Sequence, residues 1–229
     1  MITTDWQSEL VTRLAALVPC GYMVGDEPAS EPTALAGLAL LAHGQVFPAL
    51  SAARWLAKRQ AHNGSVGVAA NRATPGWPTA WAILLWNSVN AVAPDENLHR
   101  AIDRAVNWSL IQRGEALPRS DTFGHDSTLV GWSWAAHTHS WIEPTAMFVL
   151  ALKTVGRSHH ARTREAVRLL VDRLLPDGGC NYGNTTVLGQ KLLPHIEPTG
   201  LTKPTGLNNQ KRGHLGLEAA TGLPQTCNG

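Results

Sequence analysis

A short phrase recurs four times in this chain of 229 residues. It reads Glu31-Pro32-Thr33-Ala34, Trp77-Pro78-Thr79-Ala80, Glu143-Pro144-Thr145-Ala146 and Glu197-Pro198-Thr199-Gly200. The prolines stand 46, 66 and 54 residues apart. A single Pro-Thr carries no information. Four at comparable spacing, three after Glu and three before Ala, mark an internal repeat. Periods of this length imply one supersecondary unit per repeat, stacked so that neighbours bury what a lone unit leaves open.

The runs behind the first three copies are alike: TALAGLALLAH at 33–43, TAWAILLW at 79–86 and TAMFVLAL at 145–152. They are apolar all round, which predicts helices buried on every side. Proline sets φ for a first turn and a Thr hydroxyl can accept an orphan N–H, so each copy reads as a helix start. Gly44 and Gly156 mark two of the helix ends. The segments before the phrases have one wet face. Trp6, Leu10, Leu14 and Leu17 share a helical face, as do Ala49, Ala52, Ala53 and Leu56. Leu98, Ala101, Ile102 and Ala105 repeat the pattern, and so do Val167, Leu170, Val171 and Leu174. The unit is therefore amphipathic helix, Gly-containing loop, Pro-Thr, buried helix.

One buried and one half-wet helix per unit predict an all-α protein of helical-hairpin repeats, with inner helices covered by outer ones. Inner helices would form a barrel and outer helices cover it; an open solenoid of hairpins has a similar pattern, whereas a 34-residue tetratricopeptide period does not fit. Four units occupy residues 1–200, and the last lacks its Ala/Leu-rich helix. Residues 201–229, with Pro204 and several glycines, are expected to form an irregular or disordered tail. The expectation is an array cut short near residue 200, with apolar faces left open to self-association.

The loops carry more. Trp55-Leu56, Gln60 and Gly64-Ser65-Val66 follow the order aromatic, Gln, Gly-x-Trp, with Val66 in the last place. Trp108 and Gln112 repeat its first part. The loop Asp177-Gly178-Gly179-Cys180-Asn181-Tyr182-Gly183-Asn184 has Cys180 where an Asp-Gly-Gly-Trp-Asn-Tyr-Gly loop has Trp. Gly131-Trp132-Ser133-Trp134 and Ser140-Trp141-Ile142-Glu143-Pro144-Thr145 are of the same type. Over residues 5–200 the chain resembles the prenyltransferase and squalene oxidase repeat family, whose members include squalene–hopene cyclases and protein prenyltransferase β-subunits. The resemblance implies an α/α-toroid of about six hairpins when complete. It also implies that the Gln and Trp of the motif tie neighbouring hairpins together rather than catalyse.

The family's chemistry is harder to place on these residues. The cyclase Asp-x-Asp-Asp motif does not occur; Asp121 and Asp126, in a polar loop, are the nearest acids, and a solvated Asp is a poor donor to an alkene. Asp177, Cys180 and His195 are zinc-ligand types without the family's spacing, and Cys180 reads better as a Trp replacement, so neither metal nor cofactor is expected. His125, Asp126, His137 and His139 form the densest set of acid–base groups, in the longest inter-phrase segment; they are the candidate catalytic residues, or polar groups of a long loop. Trp77, Trp81, Trp134 and Trp141 are candidate binding residues for an isoprenoid or other apolar small molecule, or fillers of the core.

Net charge is +2 and no Lys/Arg block occurs, which gives no electrostatic case for nucleic acid. Three dispersed cysteines indicate neither a disulfide framework nor a zinc ribbon. Asp5, Glu9 and Arg13 argue against a secretory signal, and no apolar run suits a membrane span, so a cytoplasmic protein is expected. Two functions follow: a squalene-cyclase- or prenyltransferase-like protein holding a polyisoprenoid, or a non-catalytic scaffold for a protein or glycan.

Overall fold

A computed structural model describes residues 5–69, 71–120, 122–187 and 189–202. The described residues are mainly helical: α1 (Asp5–Leu17), α2 (Ser30–Ala42), α3 (Val46–Ala57), α4 (Thr79–Val92), α5 (Glu96–Ile111), α6 (Ile142–Thr154), α7 (Ala161–Asp172) and α8 (Ile196–Thr202). A minimal hairpin, β1 (Thr186–Val187) and β2 (Gln190–Lys191), departs from a purely α reading. Gly189 turns it with φ +77°. Asp121 and residues 203–229 lie outside the described residues, so nearly all of the expected tail does as well. Helix α8 continues to Thr202, past the expected boundary at Gly200. The chain divides into two compact units, one made of the residues to Gln112 with Trp134–Ala136, the other of Arg113–Ser133 with the residues from His137.

In the first unit α2 packs on α3 and α4, and α4 packs on α3 and α5. The alanine-rich face of α3 is fully buried at Ala49, Ala52, Ala53 and Leu56. Small residues let the axes approach. A Cβ on Gly37 of α2 would stand 2.8 Å from Leu85 of α4 and 3.0 Å from Ala52 of α3. Trp86 is wholly buried and donates its indole N–H to the Ala53 carbonyl at 2.9 Å, satisfying the one polar atom its burial removes from water. Helix α1 corrects an expectation. Trp6, Leu10 and Leu17 are exposed, so the apolar face of α1 has little of the chain against it.

The recurring Thr does something other than cap. The N-caps of α2, α4 and α6 are Ala29, Pro78 and Trp141, without side-chain capping bonds. The hydroxyl of Thr33 instead accepts from the Cys20 N–H at 3.1 Å and donates to the Cys20 carbonyl at 3.0 Å. Thr79 accepts from the Val66 N–H at 2.8 Å, but its hydroxyl donates chiefly to the Gly76 carbonyl at 2.6 Å, with the Val66 carbonyl at 3.4 Å. Thr145 makes the same pair of contacts as Thr33, with Trp132, at 2.9 and 3.2 Å. Thr199 repeats them with Cys180, at 3.0 and 3.2 Å. A hydroxyl is both donor and acceptor, so one atom satisfies both backbone groups of a loop residue. A second contact recurs beside it. Ser30, three residues before Thr33, donates its N–H to Val68, two residues past Val66. Ile142, three before Thr145, donates to Tyr182, two past Cys180.

In the second unit α6 packs on α7 and α8. Trp132 stacks on Phe148 with centroids 5.1 Å apart, and the guanidinium of the buried Arg162 lies over the indole, 4.0 Å from its centroid. Arg162 donates to the carbonyls of Val130 and Gly131 and reaches Glu165 at 3.6 Å. Burial lowers its pKa to about 10, which leaves it charged at neutral pH.

Candidate functional site

The motif read as Gln–Trp ties loop to helix. Gln60, just after α3, donates its amide to the carbonyls of Gly64 at 2.9 Å and Ala101 at 2.8 Å, and its oxygen accepts from Arg104. Gly64 has φ +95°, and a Cβ there would collide with the Arg104 carbonyl, so the loop requires glycine at this place. Val66 is wholly buried where the motif has Trp.

The four candidate indoles separate. Trp77 and Trp134 meet edge to face in the first unit, with centroids 5.0 Å apart and planes at 86°. Trp77 precedes α4, while Trp81 lies in its first turn. Trp77, Trp81 and Trp134 are all half-buried. The Trp81 indole N–H is itself buried and has no hydrogen-bond partner. This orphan donor is unlike the satisfied core indole Trp86. Trp141 belongs to the second unit, where it stacks on His139 at 4.8 Å and meets Tyr182 edge-on at 6.4 Å. Tyr182 in turn meets His195 at 4.5 Å.

The candidate acid–base set is brought together in part. His125 has a buried Nδ1 with no hydrogen-bond partner. Burial, then the charge of Arg173, holds its pKa below the ordinary 6.5, so the imidazole is neutral at pH 7. Asp126 accepts from the Thr128 hydroxyl at 2.6 Å and N–H at 3.0 Å, with Arg119 3.8 Å away. The Thr128 hydroxyl foremost, then its N–H and the more distant arginine, keep Asp126 below the usual carboxylate range. This is the reverse of what a polyene-protonating acid needs. The Asp126 backbone N–H donates to Asp172 at 2.9 Å. His137 stands apart, exposed, with φ +61° and Glu115 at 3.7 Å. His139 is engaged with Trp141 rather than with Asp126.

One residue that sequence reasoning passed over borders this loop. Arg173 is buried, donates to the Ser140 carbonyl at 2.8 Å and carries a buried Nε with no partner. Burial lowers its pKa to about 10. It follows the charged face of α7, where periodicity predicts solvent. Tyr182 sits in the quoted Asn-Tyr-Gly loop, but its ring neighbours are distant in sequence.

Among the described residues no group of three or more His, Cys, Asp or Glu stands ready to hold a metal ion. The Sγ of Cys180 is buried 3.6 Å from the Thr202 hydroxyl, and the His195 ring is turned to Tyr182. Glu31 accepts from the Tyr22 hydroxyl at 2.7 Å, and Glu143 is buried in the first turn of α6; the Glu197 side chain lies outside what is described. No described helix is long and apolar enough to cross a membrane. No protein-family model matches the chain, and no curated protein matches it.

Proposed function

We propose that this protein is an array of helical hairpins of the α/α-toroid kind, related to the prenyltransferase and squalene oxidase repeats, which binds an apolar ligand of isoprenoid character without turning it over. Support for the array comes from the Thr hydroxyl contact made four times and the backbone contact beside it made twice, at matching places in successive phrases. The observation that carries the ligand is the half-buried Trp77–Trp134 pair, with the unpartnered Trp81 N–H four residues on from Trp77 in the chain. Rings supply apolar contact area and the orphan N–H suits an oxygen at one end of the chain, as in a prenol. The ionised, hydrogen-bonded Asp126 argues for binding without polyene protonation.

Titration with farnesol or geranylgeraniol, followed by tryptophan fluorescence, tests this reading. Saturable quenching that Trp77→Ala and Trp134→Ala weaken is expected; a cyclised product would overturn the non-catalytic part. The exposed Trp6, Leu10 and Leu17 favour a second reading, a scaffold that assembles through α1. No quenching together with concentration-dependent self-association would select it.

A further inference from the structure

Helices α3 and α5 carry on their solvent sides a feature that the indole cluster does not use. A groove of about 620 Å³ is lined by Arg54 and Lys58, from α3 and its C-cap, and by Arg100 and Arg104 of α5. Each pair is spaced by four residues, one helical turn, so two like-charged pairs line one groove.

The charges are not compensated evenly. Arg54 has Asp95 at 2.8 Å, and Arg100 has Glu96 at 3.6 Å. Lys58 and Arg104 have no carboxylate partner among the described residues. Asp103, the acid in the lining, is turned to His99 at 3.7 Å. Arg104 donates one N–H to the neutral Gln60 oxygen, which fixes the guanidinium and leaves its other donors available. Ala57 adds apolar surface to the groove, over the buried Leu98.

We propose that this groove binds a soluble phosphate-bearing small molecule, with Lys58 and Arg104 as its phosphate contacts. The volume is that of a small-molecule site. A held guanidinium forks two phosphate oxygens while an ammonium acts as a point charge beside it. Two uncompensated cations from separate helices match a doubly charged phosphate better than a singly charged carboxylate. The inference is independent of the isoprenoid reading.

Calorimetric titration of sodium pyrophosphate into the full chain, at low and at physiological salt, tests it. One saturable site is expected, with affinity falling about tenfold or more in Lys58→Glu and in Arg104→Gln. Asp103→Asn should tighten binding, a gain that misfolding cannot produce. Arg168→Glu, an exposed change on α7, should leave affinity unchanged. Circular dichroism checks that each variant is folded. Absence of binding to the parent chain would overturn the proposal. So would equal weakening by Arg168→Glu, or binding to phosphatidylserine vesicles with none to pyrophosphate.

Discussion

Thr79→Val keeps the outline of a buried side chain and removes its hydroxyl. Thr79 and Val66 are both wholly buried, and the Val66 N–H points at the Thr79 oxygen from 2.8 Å. In the variant that N–H meets a methyl group and water has no access. A buried donor left without its acceptor costs about 1–3 kcal/mol. The other contacts add little. The Gly76 carbonyl, which also accepts the hydroxyl, keeps the Thr79 backbone N–H at 3.1 Å, and the bond to the Val66 carbonyl is long at 3.4 Å. The expected loss is therefore about 2 kcal/mol, a fall in Tm of roughly 4–8 °C for a chain of this size. Thr79→Ser keeps the hydroxyl and gives up one methyl, for about 1 kcal/mol. Urea unfolding followed by tryptophan fluorescence measures both. If Val lies within about 0.5 kcal/mol of the parent, or if Ser costs more than Val, the reasoning is wrong: the repeated Thr would then matter for shape and not for its hydroxyl.

Other consequences are equally accessible. Gly64→Ala, at φ +95° and against the Arg104 carbonyl, should cost about 3 kcal/mol or more in the same assay, because the obstruction is backbone that cannot swing aside. Arg162→Met should lower stability by about 3 kcal/mol, since two loop carbonyls lose their donor inside the protein; an unchanged urea midpoint would contradict this. His125 has a folded pKa below its unfolded value, so the unfolded chain takes up its proton first. The associated stability is complete above pH 6.5 and lost as pH falls towards the folded pKa, and His125→Gln should flatten that part of the stability–pH curve. Arg173→Met removes the charge that helps hold the imidazole neutral, so the His125 pKa should rise when followed by NMR. Asp95, lowered by its bonds to Arg54 and to the Asn97 N–H, contributes above its unfolded pKa and loses that contribution as pH falls through the folded one. Asp95→Ala should cost about 1 kcal/mol at pH 7, and less at pH 2.

The helices were legible from periodicity, because a face that must leave water repeats its apolar residues every three or four positions. The buried face of α3, the all-round burial of α6 and the glycine ends at Gly44 and Gly156, with φ +74° and +75°, follow from that alone. The Pro-Thr phrase was equally visible, but its work was not. Sequence suggested a cap for the helix it opens, whereas the hydroxyl serves a loop residue thirteen positions back in the first three copies and nineteen back in the fourth. Helix α1 failed in the opposite sense: its stripe of Trp6, Leu10 and Leu17 promised burial, and all three are exposed.

The candidate site divides along the same line. Residue types chosen from the sequence located the loop of His125 and Asp126, because His and Asp in a long polar segment are conspicuous. Which of them meet was a matter of chain path. His139 turned to Trp141, His137 to Glu115, and Trp77 found Trp134 across 57 positions of sequence. Arg173 and Arg162 were hidden because a charged residue on an amphipathic helix reads as solvated until the loop carbonyls that accept its N–H groups are seen. Local sequence determined which segments become helices and which of their faces shun water, since both depend on residues a turn apart. Tertiary structure decided which polar atoms are satisfied, which remain orphaned and which cations line a common groove, since those depend on groups that only folding brings within hydrogen-bond or Coulomb range.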